Sequence, residues 1–143
     1  MSELNKKVAI EFIEAFSRAD AEACEPLLAP DVLTIAKGFG KISGPRTREF
    51  MLETTKAFKD VVPTGLRPSF KTVTAEGDRV AVEWEGDGIL ANGERYANEY
   101  CMVFTLEDGK IKTVHEYFCT VLADAKIGPL LGGVETARKQ AEA

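Results

Sequence analysis

The sequence predicts an α+β fold, in which three N-terminal helices pack on a curved antiparallel meander sheet and form a cone with one pocket. The first part of the chain carries apolar residues at helical spacing, and from residue 66 onward the period changes to two. Helices followed by strands are typical of α+β proteins, with the helices on one face of the sheet. The length of 143 residues suits a single domain over 1–143.

The predicted helices lie in the first 60 or so residues. Val8, Phe12 and Phe16 recur on one face of the first helix. Pro30 ends the second helix, and Gly44-Pro45 begins the third, because proline is tolerated in a first turn. The predicted elements are helix 3–19, helix 21–29, an extended run 32–36, a flexible loop 37–41 and a helix starting at residue 44.

Four strands are predicted after the third helix. Asn92-Gly93 and Asp108-Gly109 are strong hairpin signals, because glycine adopts positive φ at little cost. Short turns join all four strands, so we expect a meander. The tail after Gly132-Gly133 is interpreted as a short helix or a frayed end. The predicted strands are 69–75, 79–88, 95–107 and 110–122.

Alternation along the strands places an aromatic-rich set of side chains on the face that the helices cover. Polar groups are scattered among these aromatics, and an apolar concavity with a few polar groups is the usual form of a ligand pocket. We therefore expect a site for a small hydrophobic ligand. The residues expected to line it are Phe16, Phe39, Phe58, Trp84, Tyr96, Asn98, Met102 and Cys119.

His115 is the candidate general base, because it is the only histidine and alternation points it inward. Tyr100 and Tyr117 are the candidate catalytic partners, which would orient it or polarise a substrate carbonyl. The alternative is a buried imidazole with a purely structural hydrogen bond. A bulge would reverse the end of any strand, and then Glu99 on the third strand or Glu116 on the fourth could face the pocket.

Composition excludes several classes of function. A net charge of −5 is unsuited to nucleic acid or to an anionic membrane surface. Three cysteines without a CxxC pair are typical of a reducing compartment, and no apolar run reaches the roughly 20 residues that span a bilayer, so we expect a cytoplasmic protein. We expect no metal and no cofactor, since one histidine and no ligand-spaced carboxylates offer no zinc site and no phosphate loop is present.

The outer face of the predicted sheet carries apolar residues among carboxylates. No predicted helix remains to cover it, so a homodimer through this face is expected. The residues concerned are Ala81, Ala97, Cys101, Val103, Val114 and Phe118.

Several short motifs are spread along nearly the whole chain. They are Phe12-Ile13-Glu14-Ala15-Phe16, Leu28-Ala29-Pro30-Asp31, Tyr96-Ala97-Asn98-Glu99-Tyr100, Asp108-Gly109-Lys110-Ile111 and Glu116-Tyr117-Phe118. With these motifs the chain resembles the nuclear transport factor 2-like, cone-fold superfamily, in its SnoaL-like and ketosteroid-isomerase-like branch. The resemblance implies the fold and an apolar pocket, while such folds host many activities.

The resemblance does not carry over the known catalytic groups. Where ketosteroid isomerases place a tyrosine, a general-base aspartate and a protonated aspartate, this chain has Phe12, a position near Ala36 and a position near Met102. Cys119 stands where many SnoaL-like cyclases have an aspartate. The epoxide-hydrolase arrangement is also disfavoured, because neither the third nor the fourth strand offers an inward arginine.

Two functional hypotheses follow. The first is a cofactor-independent isomerase, cyclase or hydratase that acts on a small hydrophobic, carbonyl-bearing molecule by general acid/base catalysis. The second is a non-catalytic ligand-binding or dimeric interaction module, which the missing carboxylates favour.

Overall fold

The computed structural model describes residues 2–131, and the tail predicted after Gly132 lies outside them. The predicted α+β class is confirmed, with helices at the N-terminus and one six-stranded sheet. The elements are α1 (Ser2–Ser17), α2 (Ala21–Cys24), a 3-10 turn (Glu25–Leu27), β1 (Leu28–Ala36), β2 (Gly44–Thr47), α3 (Arg48–Val61), β3 (Arg67–Glu76), β4 (Arg79–Ile89), β5 (Arg95–Glu107), β6 (Lys110–Phe118), α4 (Thr120–Lys126) and a second 3-10 turn (Gly128–Leu130).

The sheet has the strand order β2-β1-β6-β5-β4-β3. Strands β3 to β6 are sequential antiparallel neighbours, so the predicted meander is confirmed. The whole sheet is mostly antiparallel: outside the meander, β1 pairs in parallel with β6, and β2 pairs with the far side of β1. The run 32–36 is too short for its alternation to show which strand it joins.

The start predicted for the third helix is wrong. Gly44 and Pro45 belong to β2, an edge strand, where proline leaves no ladder hydrogen bond unmade. Helix α3 begins at Arg48, and the Thr47 hydroxyl caps it by accepting a hydrogen bond from the Phe50 amide at 3.4 Å. The residues before the helix are therefore extended, and their side chains alternate between the two faces of the sheet.

A bulge near the start of β6 decides which side chains of that strand face the helices. Leu106 pairs with Ile111 and Thr105 pairs with Thr113, which leaves Lys112 as an extra residue. Beyond Lys112 the two faces exchange, because side chains alternate along a strand. The inward pairs across β6 and β5 are Val114 with Phe104, Glu116 with Met102 and Phe118 with Tyr100.

The core lies between α1 and the inner face of the sheet. Phe12 is almost fully buried and contacts two other rings, with Phe16 stacked at 5.8 Å and Phe104 edge-on at 5.7 Å between centroids. Close approach elsewhere depends on glycine: a Cβ at Gly88 would lie 2.5 Å from the carbonyl oxygen of Gly65. That contact brings the chain after α3 onto β4 and sets Leu66 beside the cavity.

The outer face of the sheet is the surface opposite the helices. The apolar and aromatic residues on this outer face are Leu33, Ile35, Ala81, Cys101, Val103, His115 and Tyr117.

Among residues 2–131, no helix is long and apolar enough to cross a membrane.

Candidate functional site

The candidate site is a cavity of two adjoining compartments enclosed by α1, α3, the loop after β1 and the inner face of the sheet. The first compartment has a volume of about 50 Å³ and the second a volume of about 40 Å³. Each therefore holds roughly three or four water-sized groups, enough for a compact ligand across both. Four residues line both compartments: Phe16, Ile42, Phe58 and Glu116.

Each compartment has its own polar groups on an apolar wall. The first compartment adds Phe12, Thr34, Ala36, Arg46, Met51, Thr54, Thr55 and Val114. The second adds Ser17, Ala19, Val62, Leu66, Tyr96, Tyr100, Phe118 and Ile127.

Glu116 is the carboxylate of this cavity. The bulge at Lys112 turns its side chain inward, where it lies opposite Met102 on β5 and beside Ala36 on β1. Burial raises the pKa of Glu116 from 4.5 to about 7, and the positive charge of Arg46 offsets only part of that effect. A carboxyl group with this pKa exists in both protonation states at neutral pH.

Arg46 enters the first compartment from β2. It pairs with Thr34 of β1, whose side chain faces inward, and its guanidinium donates a hydrogen bond to the carbonyl oxygen of Ile42. The sequence analysis missed Arg46, because residues 44–47 were assigned to a helix and not to a strand. Its charge acts on Glu116, so the two groups form the polar centre of the cavity.

The threonines of α3 contribute hydroxyl oxygens to the first compartment. Thr54 donates its hydrogen to the Phe50 carbonyl and Thr55 donates to the Met51 carbonyl, each at 2.8 Å. Because both hydrogens are used within the helix, each hydroxyl presents only its lone pairs to a ligand.

Three polar residues of β5 lie along the second compartment. The Asn98 amide nitrogen donates to the Tyr96 hydroxyl at 2.7 Å and to the Cys119 carbonyl at 3.1 Å. Trp84 stacks on Tyr100 with ring centroids 4.3 Å apart, which fixes the plane of that phenol. Burial raises the pKa of both tyrosines, so both stay protonated across the physiological range.

The loop after β1 covers part of the cavity through Ile42. The Lys41 amide donates to the Asp124 carboxylate of α4 at 2.9 Å, and the Gly40 amide donates to the Ser43 hydroxyl at 2.9 Å. Phe39, at the tip of this loop, is fully exposed and does not line the cavity, contrary to the prediction. The loop folds with Ile42 inward, and the aromatic side chain points away.

Three of the residues expected to line the pocket do so, namely Phe16, Phe58 and Tyr96, and the candidate catalytic residue Tyr100 also lines it. Three others are buried close to it without lining it, namely Trp84, Asn98 and Met102.

The orientation predicted for the fourth strand's site residues is wrong. His115 pairs with Val103 and Tyr117 pairs with Cys101, so both lie on the outer face, where Tyr117 is 44% exposed. Cys119 is exposed, because β6 ends at Phe118 and not at residue 122. The bulge at Lys112 explains the reversal, and it brings Glu116 inward as the sequence analysis foresaw for a bulged strand.

The catalytic positions implied by the ketosteroid isomerase resemblance can now be located. Phe12 and Ala36 line the first compartment, and Met102 on β5 is the cross-strand neighbour of Glu116 on β6. The resemblance would place carboxyl groups near Ala36 on β1 and near Met102 on β5, whereas Glu116 lies on β6, between these two strands.

The chain belongs to the SnoaL-like domain family, whose model matches residues 9–114. Solved structures with the nuclear transport factor 2-like fold resemble it over most of their length. A proposed isomerase from Bacillus subtilis matches with a TM-score of 0.77 and 17% identity, over 88% of this chain and 94% of that one. The proposed hydroxylase AclR from Streptomyces galilaeus matches with a TM-score of 0.74 and 17% identity, over 90% of this chain and 87% of that one. A proposed polyketide cyclase from Xanthomonas campestris matches with a TM-score of 0.71 and 23% identity, over 88% of this chain and 98% of that one. No curated protein matches the chain. The structural matches show the fold and the family model shows the family, and the activity has to be argued from the cavity itself.

Proposed function

We propose that the protein binds a small hydrophobic, carbonyl-bearing molecule in the cavity and catalyses a proton transfer on it without a cofactor. Glu116 is the general acid/base. The observation that carries the proposal is a carboxyl group with a pKa of about 7 facing an otherwise apolar cavity.

The chemistry of Glu116 suits this role. General acid/base catalysis is most efficient when the pKa of the group lies near the working pH, because both protonation states are then available. Arg46 lies in the same compartment and would stabilise negative charge that develops on the substrate as its proton leaves. Isomerases, cyclases and hydratases share this step, and the names of the structural neighbours are consistent with it.

The proposal is tested by proton exchange in heavy water. Small cyclic ketones such as cyclohexanone are incubated with the protein, and the loss of their α-proton NMR signal is followed. We expect the wild-type protein to exchange these protons faster than buffer alone does. Glu116→Gln should abolish this extra exchange, since the amide has no basic oxygen to take the proton. Glu99→Gln is the matched control, because Glu99 is exposed on the outer face, and it should leave exchange unchanged. Equal exchange in wild type and Glu116→Gln would reject the proposal.

We also propose that two copies of the chain pair through the outer face. Support comes from the apolar side chains there, which include Leu33, Ile35 and Val103, and which no element within residues 2–131 covers. A two-fold pair is the commonest way to bury such a face.

A further inference from the structure

The second compartment holds a hydrogen-bond donor that the proposed acid/base role of Glu116 does not use. We propose that the phenols of Tyr96 and Tyr100 bind the carbonyl oxygen of the substrate, and that Asn98 is the positioning residue that directs their hydrogen bonds. This inference rests on the proposed function and adds the substrate's orientation: the carbonyl oxygen in the second compartment and the adjacent C–H bond toward Glu116.

The orientation of the Asn98 amide is fixed by three hydrogen bonds. Its nitrogen donates to the Tyr96 hydroxyl and to the Cys119 carbonyl, and its oxygen accepts from the Glu99 amide at 2.8 Å. A flipped amide would set its oxygen against the Cys119 carbonyl and its nitrogen against an N–H donor, so this orientation is the one the network allows. Both hydrogens of the amide nitrogen are used, and Tyr96 therefore accepts from Asn98.

A count of hydrogens leaves both phenol O–H groups able to donate to a ligand. Tyr96 accepts a hydrogen from Asn98, and Asn98 takes none from it, so Tyr96 keeps its own hydrogen. The hydroxyls of Tyr96 and Tyr100 lie close enough for each to shift the pKa of the other. Both rings line the second compartment, so both O–H groups can donate to one acceptor there.

Glu116 takes up neither of these hydrogens. Its charge acts on both phenols through space, and no hydrogen bond joins it to either of them within residues 2–131. A neutral oxygen acceptor between the phenols and Glu116 would complete the network. A ligand carboxylate would suit this compartment poorly, because it would set a second negative charge beside Glu116. The ligand class is therefore a ketone or aldehyde that binds by its uncharged oxygen.

The test uses carbonyl-labelled cyclohexanone as the probe, observed by 13C NMR with the full-length protein. A hydrogen bond to the oxygen moves the carbonyl resonance of the bound ketone downfield. We expect that shift in wild type and in Glu116→Gln, a smaller shift in Tyr96→Phe and in Tyr100→Phe, because one donor remains, and no shift in the double variant. Each single substitution should weaken binding about three- to tenfold. Tyr117→Phe removes the same atom from the outer face and should change nothing.

Asn98→Asp tests the positioning role separately. A carboxylate of the same shape would accept a hydrogen from Tyr96 where the amide donates one, and this would take the Tyr96 hydrogen away from the cavity. We expect the downfield shift to fall to its value in Tyr96→Phe while both phenols remain. Urea unfolding of each variant, compared with Tyr117→Phe, checks that the fold persists.

The outcomes separate this inference from the proposed function. Loss of α-proton exchange in Glu116→Gln together with an unchanged carbonyl shift in both tyrosine variants would overturn the inference and leave the acid/base role standing. A shift reduced in the tyrosine variants with exchange equal in wild type and Glu116→Gln would do the reverse. Failure of cyclohexanone to bind at all would overturn the inferred ligand class.

Discussion

Glu116 owes its properties to where one side chain lies. A carboxylate loses hydration when it is enclosed by groups such as Phe16, Phe58 and Val114, and the free energy of its charged form rises accordingly. Arg46 provides partial compensation from the neighbouring strand. Because the desolvation dominates, the neutral acid persists to about pH 7 and can donate as well as accept a proton.

The raised pKa of Glu116 predicts a specific pH dependence of stability. The folded state holds this proton more tightly than the unfolded chain, so the free energy of unfolding falls as pH rises from about 4.5 to about 7. Glu116→Gln removes this dependence and should be more stable than wild type at pH 8 by up to about 3 kcal/mol, with no such advantage below pH 4.5. Urea unfolding of both proteins across this range measures it. A difference independent of pH would show that Glu116 does not titrate in this way.

The individual elements differ in how well the sequence predicts them. Helix α1 and strands β3 to β5 follow from apolar spacing and from glycine turns such as Gly93 and Gly109, which adopt positive φ. Strand β2 has only four residues, and its Gly-Pro start has the pattern of a helix as well as of an edge strand. The bulge at Lys112 leaves no mark in local composition, because it arises from pairing between β5 and β6.

The candidate site inherits these differences. Phe16 and Phe58 lie on helices and Tyr96 and Tyr100 on β5, where periodicity is reliable, and all four line the cavity. The residues that depend on β2 and on the bulge, Arg46 and Glu116, required the strand pairing itself.

The end of α1 predicts a stabilising substitution. Ala19 has a φ of 58° in a Schellman arrangement, in which the Asp20 amide bonds to the Ala15 carbonyl and the Ala19 amide bonds to the Phe16 carbonyl. Glycine adopts this left-handed conformation without the cost of a Cβ, so Ala19→Gly should raise the free energy of unfolding by about 0.5–1 kcal/mol. Thermal unfolding measures the gain. Ala21→Gly, within α2, is the control and should destabilise instead.

At the scale of the whole molecule, the two faces of the sheet have separate roles. The inner face and the helices enclose the cavity, while the outer face presents apolar side chains that the helices leave uncovered. Of the predicted site residues, His115 and Tyr117 belong to the outer face, and they fit an interface between copies better than a reaction.

The proposed pairing predicts that the protein in solution has twice the mass of one 15.6 kDa chain. Leu33 is 38% exposed on the outer face, and Leu33→Glu should shift the population to the monomer by placing a charge in the interface. Leu4→Glu is the matched control, since Leu4 is 51% exposed on α1, away from that face. Light scattering distinguishes the two states. A monomeric wild type, or equal effects of both variants, would contradict the pairing.

The account as a whole depends on one ionisation, that of Glu116 in the cavity. It can be followed directly by 13C NMR of side-chain carboxyl-labelled glutamate, with the Glu116 signal assigned by its absence from Glu116→Gln. We predict a single titration with a pKa of about 7, well above the ordinary value of 4.5. A Glu116 signal that titrates near 4.5 would mean that the carboxylate is solvated and ionised at neutral pH, and would contradict the proposed acid/base role.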